Sequence, residues 1–168
     1  NAGNALTSDS LRNVLIGFGA GLLMEDAAQN VCIGTQAGDA IVDATYNCLV
    51  GVSAGGLLTH SYNTCLGAFA GQTTVSGEGN VCVGYAAYNS AVDVDVEIVI
   101  GASLTGQGEE TMTWGRNDGT DFVTNDFDIN NVLTHGSDER IKKDIEDNDL
   151  GLSFINKLRT VIFKKRHA

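Results

Sequence analysis

Between residues 13 and 104 the apolar positions fall in triplets, each opened in most copies by Asn and closed by Gly. The runs are Asn13-Val-Leu-Ile-Gly17, Asn30-Val-Cys-Ile-Gly34, Asn47-Cys-Leu-Val-Gly51, Asn63-Thr-Cys-Leu-Gly67 and Asn80-Val-Cys-Val-Gly84, with Glu97-Ile-Val-Ile-Gly101 as a sixth. Their glycines step by 17, 17, 16, 17 and 17 residues. Small residues return three or four places after each Gly, at Ala20-Gly21, Ala37-Gly38, Ala54-Gly55, Ala70-Gly71 and Ala87, and Leu104 breaks this pattern in the last copy. A triplet rich in Val and Ile is too short for a helix and suits a strand. Seventeen residues allow one coil of chain, whereas a propeller blade needs about 40. The pattern therefore predicts a mainly β fold: a parallel β-solenoid or β-roll of about six 17-residue rungs, followed by a short α/β appendage.

Three apolar residues in succession place apolar groups on both strand faces. One face can point into the coil, and neighbouring chains of an oligomer would cover the other. A homotrimer around a long axis meets that need. Within each rung, Gly permits the bend after the strand, Ala and Gly let the returning chain approach closely, and stacked Asn side chains can hydrogen-bond from rung to rung. Four segments follow: a lead-in over 1–12, the repeats over 13–104, a β-rich linker over 105–136 and a separate unit over 137–168. In the linker, Asn117-Asp118-Gly119 reads as a hairpin turn between Met112-Thr-Trp114 and Phe122-Val123.

Composition supports thin layers and tight turns: the chain of 168 residues has 21 Gly, no Pro and few aromatics. Charge divides it. Residues 1–136 carry two basic residues, Arg12 and Arg116, against 15 acidic ones, while residues 137–168 carry eight basic and six acidic. A formal charge of -11 disfavours nucleic acid and anionic membrane as partners, since phosphates are gripped by clustered Lys and Arg. No run of about 18 apolar residues offers a membrane span, and no charged-then-apolar leader opens the chain. The chain reads as soluble and unsecreted, and its two ends read as those of a fragment.

Little in the repeats carries chemistry. Cys32, Cys65 and Cys82 stand two residues before their glycines and Cys48 three before, in places held elsewhere by aliphatics. They read as buried, reduced cysteines: the paired spacing of a metal site is absent, and thiols stacked on adjacent rungs point in parallel, which suits a disulfide poorly. Asp126-Phe-Asp128-Ile-Asn130 starts like a calcium loop but lacks Gly at the sixth place and Glu at the twelfth. His60 and His135 read as surface residues. No metal or cofactor is implied, and no aromatic platform in the repeats points to a sugar. The acids Asp39, Asp43 and Glu78 fall at variable turn positions without evident pairing, which argues against a polysaccharide-degrading enzyme with two carboxylates about 5 to 9 Å apart.

At the change of charge the chain reads Gly136-Ser137-Asp138-Glu139-Arg140-Ile141-Lys142-Lys143-Asp144-Ile145, then a helix-like stretch with Leu150, Phe154 and Leu158 on one face and a short alternation at Val161 and Phe163. This pattern resembles the opening of the self-cleaving intramolecular chaperone domain of phage tail fibres and endosialidase tailspikes. The upstream repeats are similar to those preceding such domains, and to the β-roll heads of trimeric autotransporter adhesins. The resemblance implies a trimeric phage fibre or spike segment for host attachment, located in the virion and assembled in the host cytoplasm. Its implied partners are its own copies, other tail proteins and a host surface glycan or protein. It also implies self-cleavage between Gly136 and Ser137, with Ser137 as nucleophile and Lys142 as base. The chaperone is represented only by its start, and Thr160 replaces a Pro common in the family. A Ser activated by a partly desolvated Lys is sound chemistry. Five residues of separation would set the two side chains about 140° apart on a helix, so Ser137 must lie outside it or meet Lys142 of another chain. A bacterial surface adhesin and a polysaccharide-degrading tailspike are the alternatives. The Ser137 motif favours the phage reading, as does the lack of heptads for a coiled-coil stalk.

Overall fold

A computed structural model describes residues 1–7, 10–116 and 121–127, together with the backbone of 133–135. All belong to the first of the chain's two units, Asn1–Ser137. Six short strands mark successive turns of one coil: β1 (Val14–Ile16), β2 (Val31–Ile33), β3 (Cys48–Val50), β4 (Thr64–Leu66), β5 (Val81–Val83) and β6 (Ile98–Ala102). Each pairs in parallel with the next, in the register of the repeat, so that Leu15, Cys32, Leu49, Cys65, Cys82 and Val99 are aligned across the sheet. The described residues form a parallel β-solenoid of about six turns with no helix.

Stacking extends past both ends of the repeat. Gly3 and Thr7 of the lead-in donate their N–H groups to Ala20 and Glu25 carbonyls, as later rungs do to theirs. At the other end β7 (Thr111–Arg116) adds a further parallel strand to β6, reached by a rung shortened to 14 residues between Glu97 and Thr111. There the direction changes: β8 (Asp121–Asp126) returns antiparallel to β7 with Trp114 opposite Val123, and β9 (Leu133–His135) pairs antiparallel to β8. The strands of the expected hairpin are in place, and its turn at Asn117-Asp118-Gly119 lies outside the described residues.

Why the repeat needs Gly at one place is visible in the backbone. Gly17, Gly34, Gly51, Gly67, Gly84 and Gly101 all have positive φ, between 128 and 157°. A Cβ on Gly17 would come within 2.5 Å of the Gly34 carbonyl oxygen on the next rung, and the same clash recurs up the column. Side-chain-free backbone is thus required twice over, by torsion and by approach.

The Asn column closes each rung and joins it to the next. Asn13 Oδ1 accepts from Asn30 N at 2.9 Å, and the same bond runs Asn30 to Asn47, Asn47 to Asn63, Asn63 to Asn80 and Asn80 to Glu97. In several rungs the Asn amide also reaches the carbonyl that ends its own coil, such as Ala27 from Asn13 and Ala44 from Asn30. Fully buried amides of this kind are tolerated only because both ends are bonded.

Inside the coil there is room for little more than one layer of side chains. The central strand residues meet the Ala20, Ala37, Ala54, Ala70 and Ala87 column and the larger Met24, Ile41 and Leu58. Each fully buried Leu or Ile contributes about 1.5–3 kcal/mol. Towards the C-terminal end the filling turns polar. Thr74 takes the place of Leu58, and its hydroxyl donates to Asn89, which is also approached by the Cys82 thiol at 3.0 Å. Glu97, fully buried, ends the Asn column; its carboxylate accepts from Asn89 Nδ2, Ser90 N and Gly108 N at 3.1, 2.8 and 2.8 Å. Three donors offset the desolvation that a lone buried carboxylate would suffer.

Candidate functional site

Strand pleating decides which side chains face outward. The middle residue of each triplet points into the coil, while its neighbours point away from it. In a single chain this outward face stays partly open: Val14, Ile16, Leu66 and Ile100 are exposed, and Val31, Ile33, Cys48, Val50, Val81, Val83 and Ile98 are half-buried. The face spans six rungs and holds no charged residue, on a unit that is otherwise strongly acidic.

The same pleat sorts the cysteines. Cys32, Cys65 and Cys82 are buried inside, Cys48 is half-buried on the outer face, and all four are free thiols. Burial, with a smaller contribution from neighbouring Cys48, pushes the Cys32 thiol up to about 12. Cys82 is likewise raised, first by its contact with Cys65 and then by burial. Such thiols stay protonated near neutrality and are poor nucleophiles.

A second surface lies at the corner just before each Asn. Arg12, Gln29, Tyr46, Tyr62, Gly79 and Val96 hold this place on consecutive rungs, all with positive φ between 52 and 68°. Tyr46 and Tyr62 are both exposed and stack with ring centroids 5.4 Å apart and planes 6° from parallel. An aromatic platform therefore exists where none was expected. The missed signal was positional: each Tyr immediately precedes a repeat Asn, Asn47 or Asn63, so the repeat itself aligns them on adjacent rungs.

Ser61 and Glu78, which immediately precede Tyr62 and Gly79 of this column, line an open cavity of about 540 Å³ together with Asp43, Thr59 and His60. Asp43 and Glu78, which showed no pairing along the chain, thus face one space from different rungs; Asp39 does not join them and borders another cavity with Leu22, Leu23 and Leu57. Partial burial pushes the Asp39 carboxyl up, opposed by hydrogen bonds to its carboxylate. His60 is oriented by its neighbour. Thr59 Oγ1 donates to the Val75 carbonyl at 2.8 Å, so at 2.9 Å it accepts from His60 Nδ1. In the neutral ring Nε2 is left as an acceptor.

Gly136, Ser137 and Lys142 lie outside the described residues, as do the later residues of the calcium-like stretch; His135 is described only as backbone in β9. Among the described residues no group of three or more His, Cys, Asp or Glu could hold a metal ion, and no helix is long and apolar enough to cross a membrane. Comparison with protein-family models, curated proteins and solved structures found no match for this chain.

Proposed function

We propose that this chain is the shaft segment of a homotrimeric fibre of the phage tail-fibre or spike kind, serving host attachment, with its solenoids packed strand face to strand face. The observation that carries the reading is the uncharged apolar outer face of β1–β6. An acidic unit with 15 acidic and two basic residues over 1–136 would repel its own copies wherever charges meet. Along this face it would not, and a surface that repeats at the rung spacing over six turns is matched best by a second surface of the same period. A closed ring of three such faces buries all of them.

Sizing by light scattering tests this. The full chain should run as a trimer, and Ile33→Lys with Val50→Glu should reduce it to monomer with its β-sheet circular dichroism retained. Cys48 supplies a second arm, because it faces the proposed contact. Mild oxidation should link copies through it and fail to do so in Cys48→Ser. A wild-type monomer without Cys48 cross-links would overturn the proposal.

The motif at Ser137 supports the phage form over a bacterial surface adhesin, and it carries the proposal of self-cleavage after trimerisation. Extended at its C-terminus to a complete chaperone, the chain should lose that domain by cleavage between Gly136 and Ser137. Intact mass should then fall to residues ending at Gly136 in wild type, and remain full-length in Ser137→Ala and Lys142→Ala. Equal masses in all three would remove the cleavage proposal and leave the shaft proposal standing.

A further inference from the structure

The corner column contains a gap. Two tyrosines stack at Tyr46 and Tyr62, the next rung has Gly79, and Val96 stands one rung further on. Rungs are spaced by roughly 4.8 Å, so the backbones at Tyr62 and Val96 are separated by roughly 10 Å, and Gly79 puts no side chain between them, although Val96 Cγ2 leans towards its level. A ring held at carbon–carbon contact on both sides requires roughly 7–8 Å. The gap therefore takes one flat ring, with Tyr62 as floor. A Cβ on Gly79 would meet Val96 Cγ2 at 3.6 Å in ordinary van der Waals contact and nothing tighter, so a side chain is admitted there without a clash.

Chemistry beside the gap narrows the ligand. Ser61 and Glu78 directly precede Tyr62 and Gly79, and both line the cavity of about 540 Å³ that also holds Asp43 and His60. Carboxylates are acceptors only, and when neutral His60 presents Nε2 as an acceptor, its Nδ1 being engaged by Thr59. The ligand must then bring the hydrogens: several hydroxyl donors around an apolar ring face. Among the described residues the only Arg or Lys side chains, Arg12 and Arg116, belong to the first and last turns of the stack, so these offer an acidic ligand at this place no countercharge. A volume of this size suits a small ligand or one to a few sugar units.

We propose that the open face of Tyr62 over Gly79, with the adjoining Asp43, His60 and Glu78, binds a neutral hexopyranose unit of a surface polysaccharide. The unit stacks its C–H face on Tyr62 and donates its hydroxyls to the cavity. This deepens the attachment reading, and rests on it only for the source of the polysaccharide; trimer formation is read by sizing and can fail independently.

The test is calorimetric titration of the full chain with maltohexaose, tri-N-acetylchitotriose and sialyllactose. At least one neutral oligosaccharide should bind with a Kd of about 1 mM or tighter, and sialyllactose at least tenfold more weakly. Gly79→Tyr is the decisive variant. Tyr46 and Tyr62 already occupy this column at φ 60 and 65°, close to the 68° of Gly79, so a third tyrosine continues the stack without altering the fold. It should weaken binding at least tenfold while leaving the melting temperature unchanged or higher, and Tyr62→Ala should weaken binding equally. The proposal is overturned by absence of any neutral binder up to about 10 mM, by binding that ignores Gly79→Tyr, or by sialyllactose binding as tightly as the neutral sugars.

Discussion

Gly51→Ala is expected to destabilise the solenoid by about 3 kcal/mol or more, lowering the melting temperature by roughly 6–12 °C for a chain of this size. Two effects combine. Gly51 holds φ at 139°, a region that costs an L-residue of order 1–3 kcal/mol. The new methyl would also press on the Gly67 carbonyl and come within 2.8 Å of Ala68 N, forcing apart rungs that are joined by Gly51 N to Ile33 O and Gly67 N to Val50 O, each at 2.8 Å. Gly56→Ala is the matched control. Gly56 has no positive φ, and a Cβ there finds its nearest neighbours at 3.4 Å, so its cost should stay below about 1 kcal/mol. Thermal denaturation followed by circular dichroism compares the two directly. Similar losses for both would mean that the glycine column is not the constraint described.

Asn47→Ala should cost about 2–3 kcal/mol by the same measurement. Asn47 lies in the middle of the buried column, with Oδ1 accepting from Asn63 N at 2.8 Å and Nδ2 donating to Asn30 Oδ1 at 3.1 Å. Alanine leaves the Asn63 N–H without its acceptor in the interior, and an orphaned buried donor costs about 1–3 kcal/mol, to which a small cavity adds. Asn13→Ala, at the half-buried start of the column, should lose less because water can reach it. If the two variants melt together, the column does not act as a buried hydrogen-bonded ladder.

These expectations connect to the assembly. A rung that opens at residue 51 also displaces Val50 and Cys48, which face the proposed trimer contact, so Gly51→Ala should weaken association as well as stability. Asn47→Ala acts on the interior and should leave the outer face in register. Sizing and melting together distinguish the two kinds of damage.

Much of this was legible along the chain, because the features that set the coil are local. Gly17 to Gly101 announce a backbone that no side chain permits, and the Asn residues announce a hydrogen bond that only an amide completes in both directions, while the expected burial of all four cysteines fails at Cys48, which the pleat turns outward. Glu97 was aligned with the Asn column, and its carboxylate takes the N–H donors that a sequence offers no way to locate: Ser90 and Gly108 arrive from turns of irregular length. Equally illegible were the left-handed corners at Gln36, Ser53, Phe69 and Ala86, where no residue type marks the torsion.

Sequence alone determined the period and the parallel register, since each follows from a repeated requirement of torsion or close approach within a single rung. Tertiary structure alone decided what the variable corners build. Asp43, His60 and Glu78 come from three rungs, and Tyr62 meets an empty place at Gly79 only after stacking brings residues 17 apart to within about one strand spacing. Those positions are held to no common residue type, so their meaning arises from the neighbours that the coil supplies.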